Sequence, residues 1–273
     1  PLRRAALAQP WTKKDDGKIT PIRLRYQIVC KDDLGQIEFA MEHLDAAEVY
    51  LDGKRIETRN KAGYFVDPCI QKIVFPTMTR GDHIIELVIY FSEKINLESC
   101  YLLGDFLAYV NGSRTVLCAY PNHKQENGQE IILQAAWGSL TEQGFPFYGG
   151  NVIYRMEMDL DPGEYQLEIS KFRSPLLAVF VDGKDVGRIY RSPYRISFLI
   201  VESGRHVLEI KSFGNRINTF GAIHNCDEQE IYFDPNAWRT IDESWAYEYQ
   251  LKKTGILKAP VLWKKECVKN ESD

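Results

Sequence analysis

The sequence predicts an all-β chain built as two tandem β-sandwiches. Three observations predict it: short runs that alternate apolar and polar residues, Asp-Gly turn signals between them, and a set of markers that recurs in order from the first half to the second. Period-two alternation is the pattern of a strand with one buried face. Several short strands with regular turn signals are the pattern of a sandwich.

Residues 1–20 read as a linker or the remnant of a preceding domain, with residues 2–8 as the last turns of a helix closed by Pro10 and a turn at Asp16-Gly17. The first sandwich is expected over 21–115. Within it, Gln36-Ile37-Glu38-Phe39-Ala40-Met41-Glu42 alternates as a half-buried strand should. Val49-Tyr50-Leu51 and Ile56 flank Asp52-Gly53, the signal of a type I′ hairpin. The apolar run over 84–91 suits a buried strand, and nothing over 22–110 reads as a long amphipathic helix. Residues 116–130 are expected to link the two domains, because 121–128 is polar and turn-rich. The second sandwich is expected over 131–258: Tyr165-Gln166-Leu167-Glu168-Ile169 alternates, Val179-Phe180-Val181 leads into Asp182-Gly183, and residues 245–251 form a last strand. Residues 259–273 read as a C-terminal tail.

The halves resemble one another. Val49-Tyr50-Leu51-Asp52-Gly53-Lys54 matches Val179-Phe180-Val181-Asp182-Gly183-Lys184, with four of the six residues identical. Gly81-Asp82-His83-Ile84-Ile85-Glu86-Leu87 matches Gly204-Arg205-His206-Val207-Leu208-Glu209-Ile210. Tyr26 falls opposite Tyr154, Gly35 opposite Gly163 and Asn96 opposite Asn218. The separations of 122 to 130 residues are too long for a solenoid repeat and imply two whole domains.

Composition excludes several classes of function. With 34 basic and 38 acidic residues the net charge is −4, so no basic field exists to hold a nucleic acid. No apolar run approaches the roughly 20 residues of a membrane helix. No signal peptide is visible, and the chain begins at Pro1, as a processed or excised piece would. The six cysteines form no CxxC pair and read as reduced core thiols, which suits a cytoplasmic setting.

Longer runs carry a resemblance. Trp137-Gly138-Ser139-Leu140-Thr141-Glu142-Gln143-Gly144-Phe145-Pro146-Phe147-Tyr148-Gly149-Gly150 resembles the opening of the accessory β-sandwich of large bacterial glycoside hydrolases, of family 2 and the rhamnosidase-like families. Asn215-Arg216-Ile217-Asn218-Thr219-Phe220-Gly221 is similar to a segment found late in such domains. Asn96-Leu97-Glu98-Ser99-Cys100-Tyr101-Leu102-Leu103-Gly104-Asp105-Phe106 resembles a stretch of the same proteins. The resemblance covers most of residues 20–258. It implies jelly-roll, galactose-binding-like sandwiches, carbohydrate as a partner, and a separate catalytic (β/α)₈ barrel as the other. This chain shows no strand–helix series that could build that barrel. Domains of this kind sometimes carry structural calcium, which takes six to eight oxygens. No dense acidic loop is present, so neither metal nor other cofactor is assigned.

Chemistry in the chain itself would need two carboxylates about 5 Å or about 6.5–9.5 Å apart. Glu98 with Asp105, and Glu142 with Asp182, are the candidates. Asp52 and Asp182 are better explained as turn residues. His224 and Cys226 lack the third ligand a zinc site needs. A pyranose demands instead an aromatic platform and a few fixed polar groups. Trp137, Phe147 and Tyr148 supply the first; Glu142, Gln143, Arg216, Asn218, His224 and Asn225 supply the second. The expectation is a non-catalytic accessory region that supports a barrel and holds carbohydrate. Its alternatives are an independent lectin-like module, a glycosidase with its site between the domains, and a structural adhesin-like module.

Overall fold

The computed structural model describes residues 17–92, 94–95, 97–112, 114–120, 125–126, 130–131, 136–227 and 242–265. Among them there is no α-helix, and the chain is all-β. It divides into two compact units. One holds the described residues up to 131 together with 222–227 and 242–250; the other holds 136–221 and 251–265.

The first unit contains β1 (Thr20–Cys30), β2 (Ile37–Met41), β3 (Ala47–Leu51), β4 (Lys54–Ile56), β5 (Lys61–Phe65), β6 (Asp67–Phe75), β7 (Gly81–Phe91), β8 (Tyr101–Gly104), β9 (Phe106–Asn111) and β10 (Arg114–Ala119). They form a six-stranded sheet ordered β4-β3-β7-β1-β10-β9 and a four-stranded sheet ordered β5-β6-β2-β8. The β1–β10 pair is parallel; the others are antiparallel. A two-residue pair follows, β11 (Gln125–Glu126) with β12 (Glu130–Ile131). The core lies between the two sheets. Val49 and Leu51 of β3 stand beside Leu87 and Ile85 of β7. They join Ile37 and Phe39 of β2 and Ile73 and Phe75 of β6 in one cluster, with the Phe39 and Phe75 rings 5.7 Å apart. Full burial of each such side chain stabilises by about 1.5–3 kcal/mol.

The second unit contains β13 (Val152–Leu160), β14 (Gly163–Glu168), β15 (Phe172–Arg173), β16 (Leu177–Val181), β17 (Lys184–Ile189), β18 (Arg195–Ile200), β19 (Gly204–Ser212), β20 (Gly255–Ile256) and β21 (Val261–Lys264). Its sheets are β13-β19-β16-β17, β18-β14-β21 and the short pair β15-β20. Val179 and Val181 stand beside Ile210 and Leu208, and Tyr165 stacks on Phe198 at 6.0 Å. All six belong to one buried cluster.

Each unit carries the same latch. The Asp-Gly pairs have positive φ at both residues, 49° and 77° for Asp52-Gly53 and 50° and 73° for Asp182-Gly183, as a type I′ turn requires. The backbone N–H groups of Ile84 and Val207 donate to the two carboxylates at 2.8 and 2.9 Å. The second carboxylate oxygen meets Nδ1 of His83 or His206 at 2.7 Å. The other ring nitrogen meets a backbone carbonyl, Thr79 at 2.6 Å or Glu202 at 3.0 Å. A neutral imidazole has a single N–H and can satisfy one of these acceptors; imidazolium satisfies both. Burial works against the charged form of His83, but the Thr79 carbonyl and the Asp52 carboxylate outweigh it and its pKa is raised. The Asp182 carboxylate, helped by the Glu202 carbonyl, raises that of His206. Burial pushes the Asp52 carboxyl up, but the Ile84 N–H and His83 outweigh it, so its pKa is lowered. His206 and the Val207 N–H lower that of Asp182.

Several element boundaries differ from those read in the sequence. Residues 116–119 complete β10 instead of opening a linker, because Leu117 is buried in the first core. Residues 261–264 are not tail; β21 pairs with β14, with Val261 opposite Glu168 and Lys264 opposite Tyr165. The described residues 222–227 and 242–250, placed by sequence in the second sandwich, group with the first unit. Residues 245–251 form no regular strand, only an isolated bridge between Asn225 and Trp245. β2 is buried on both faces over most of its length, being central in its sheet. Of the cysteines, Cys30 is buried but Cys69 and Cys226 are exposed, so those two are not core thiols. The expected helical remnant at 2–8, and residues 228–241, lie outside the described residues.

The latches predict a bell-shaped stability profile. A raised folded pKa means that each histidine's contribution is complete below about 6.5 and is lost as pH rises through the folded value. Each lowered aspartate contributes above about 3.9 and loses that contribution as pH falls through its folded value. Melting temperature measured from about pH 5 to about pH 9 should fall on the alkaline side. The His83→Gln, His206→Gln double variant should flatten that limb; an unchanged slope would remove the latches as its cause.

Candidate functional site

The loops at one end of the second unit form a fixed frame. Leu140–Glu142 is a single 3-10 turn, capped by the Ser139 hydroxyl, which accepts from the Thr141 N–H. Leu140 N–H donates to the Thr254 carbonyl and Gly138 N–H to that of Ile256, both at 3.1 Å, so the turn is tied to the strand entering β20. Asn218 is 4% exposed and staples two loops. Its Nδ2 donates to the Lys252 carbonyl at 2.7 Å, and its Oδ1 accepts the Lys252 N–H at 2.9 Å. The Thr219 hydroxyl donates to the Phe147 carbonyl at 2.8 Å. Tyr154 accepts the Ile256 N–H at 3.1 Å, and burial holds its phenol above the ordinary range, so it stays neutral.

Close backbone approach makes the frame compact. A Cβ at Gly214 would strike the carbonyl oxygens of Gly149 and Gly150, and a Cβ at Gly150 would strike the Tyr148 ring. The Asn151 side chain bridges the same contact by accepting the Gly214 N–H at 3.1 Å.

Here the unit holds a shallow pocket of ≈ 10 Å³, with Tyr148, Arg173, Ser212, Asn215 and Thr254 in its wall. That volume admits about one water-sized group. Tyr148 is 48% exposed. Among the described residues Arg173 forms no ion pair and the buried Thr254 hydroxyl has no hydrogen-bond partner. No aspartate or glutamate lines the pocket. The arrangement offers an aromatic surface with hydrogen-bond donors and acceptors.

The structure brings together part of the residue set expected from sequence. Trp137, Glu142, Gln143, Phe147, Tyr148, Arg216 and Asn218 all belong to the second unit; His224 and Asn225 belong to the first. Trp137 is partly exposed and stacks on Tyr154 at 5.2 Å. Gln143 serves its own loop, accepting from Ala136 N–H and donating to the Ser139 carbonyl. Asn218 is committed to its staple. Glu142 makes an exposed ion pair with Lys253 at 3.5 Å, of the kind that contributes little. Arg216 lies over the Phe220 ring at 5.7 Å. Of the carboxylates weighed for catalysis, Asp182 is held in its latch. Sequence reasoning missed Arg173 and Thr254, which no local motif marks. Asn215 stood in a recognised run without being selected.

The chain is all-β, and residues of the second unit wall one small pocket. No protein-family model matches the sequence, nor does any curated protein. Among solved structures, a rhamnosidase from Novosphingobium sp. PP1Y is 17% identical over 90% of this chain and 23% of its own, with a TM-score of 0.34. A GH2 beta-galacturonidase from Eisenbergiella tayi, bound to galacturonate, is 22% identical over 57% of this chain and 22% of its own, with a TM-score of 0.30. A lectin from Pleurotus ostreatus in complex with GalNAc is 10% identical over 73% of this chain and 70% of its own, with a TM-score of 0.23. The match therefore spans less than a quarter of either hydrolase.

Gly214→Ala should cost about 1–3 kcal/mol, since the added carbon must displace backbone. Gly35→Ala, where a Cβ meets nothing within 4 Å, is the control. Denaturant midpoints compare the two; equal midpoints would show that the loop frame yields freely.

Proposed function

We propose that this chain is the non-catalytic accessory region of a glycoside hydrolase, made of two duplicated jelly-roll, galactose-binding-like sandwiches. It supports the catalytic barrel and holds carbohydrate in the second unit. One observation carries the binding role: the small pocket, with Tyr148 at its surface, Arg173 and Thr254 in its wall, and no carboxylate lining it. A cavity of water size cannot enclose a sugar ring. It takes a single hydroxyl, while the ring rests on the aromatic surface outside and the guanidinium donates to neighbouring oxygens. The duplicated latches and matched hairpins support descent of the two sandwiches from one.

The purified chain should leave aryl glycosides intact and bind immobilised oligosaccharides. Tyr148→Ala and Arg173→Gln should each weaken that binding by about tenfold, the loss of roughly one good contact. Turnover of an aryl glycoside would overturn the accessory reading. Binding indifferent to both substitutions would overturn the location.

A further inference from the structure

Residues 222–227 and 242–250, in the first unit, build a second aromatic surface. Four backbone hydrogen bonds hold it: Cys226 N–H to the Ser244 carbonyl at 2.9 Å, Ala246 N–H to His224 at 2.9 Å, Gln250 N–H to Ile223 at 2.6 Å, and Trp245 N–H to Asp242 at 3.2 Å. The His224 ring stacks on Trp245, 5.7 Å and 25° apart, and lies 5.0 Å from the Tyr249 ring. Tyr247 meets Trp245 edge-on, 6.1 Å and 63° apart. The indole and the phenol thus form a corner, and both are open: Trp245 is 44% exposed and Tyr247 65%.

The imidazole adds a directional polar group. His224 Nδ1 lies 2.9 Å from the Ala246 carbonyl, which can only accept, so Nδ1 carries the hydrogen. In the neutral ring Nε2 is then an acceptor, and it has no hydrogen-bond partner among the described residues. Ring faces set beside a fixed acceptor and a phenol suit a ligand that has both C–H faces and hydroxyls.

Area decides between a sugar and a protein partner. At these exposures the two rings offer on the order of 200 Å². A stable protein interface needs about 800 Å² from each side. The corner matches roughly one or two sugar rings.

We infer that Trp245, Tyr247 and His224 form a second carbohydrate-binding surface, in the first unit, that stacks a pyranose on the indole and accepts a sugar hydroxyl at His224 Nε2. It rests on the proposed carbohydrate role but on none of the residues of the pocket in the second unit.

The test is a glycan array of neutral and acidic oligosaccharides, probed with the full chain and with Tyr148→Ala, Trp245→Ala and Trp245→Phe, each checked for its fold by circular dichroism. Trp245→Ala should lower apparent affinity about tenfold, and Trp245→Phe, which keeps a ring face, should lower it less. Residual binding by Tyr148→Ala should disappear when Trp245→Ala is added. Binding abolished by Tyr148→Ala and untouched by Trp245→Ala would overturn the second surface and leave the pocket reading intact. Binding untouched by either would overturn both locations, and no binding to any glycan would overturn both proposals.

Discussion

Each sandwich depends on a carboxylate that must answer several donors at one place. The Asp-Gly turn puts Asp52 or Asp182 in a left-handed conformation that an L-residue adopts at some cost. The cost is offset because only there does the carboxylate reach both the backbone N–H of the facing strand and the imidazole beside it. The imidazole in turn reaches across to a carbonyl four residues before it in the chain. Hairpin, central strand and preceding turn are thereby joined by one charged group and its partners. Charge-assisted hydrogen bonds of this kind are about twice as strong as neutral ones. In that register Val49 and Leu51 of β3, and Val179 and Val181 of β16, lie in the two cores.

The loop frame of the second unit follows from the same economy of backbone partners. Strands end, and their last N–H and C=O groups need partners that no ladder supplies. Asn218, Ser139, Thr219 and Asn151 provide them. Polar residues that look available for a ligand in the sequence, Gln143 and Asn218 among them, also hold loop geometry. The pocket wall draws on residues of which only Tyr148 was expected from sequence. Tyr148 is open, Arg173 has no acidic partner among the described residues, and Thr254 is buried beside a gap.

The aromatic residues divide in a similar way. Tyr165 and Phe198 are ordinary core. Trp137 is half committed, with one face on Tyr154. Trp245 and Tyr247 remain open although they sit on a segment held by several backbone bonds.

The sequence by itself determined what local chemistry controls. Period-two alternation marked the strands, Asp-Gly marked the two type I′ hairpins, and the runs containing His83 and His206 matched one another. These signals work because side-chain direction and turn conformation depend on near neighbours. Tertiary structure decided the rest. It grouped residues 222–227 and 242–250 with the first unit, made residues 261–264 a strand of the second, and set Arg173 and Thr254 in one pocket wall. Those outcomes depend on which distant surfaces bury area and satisfy backbone groups together, and no short stretch of sequence carries that information.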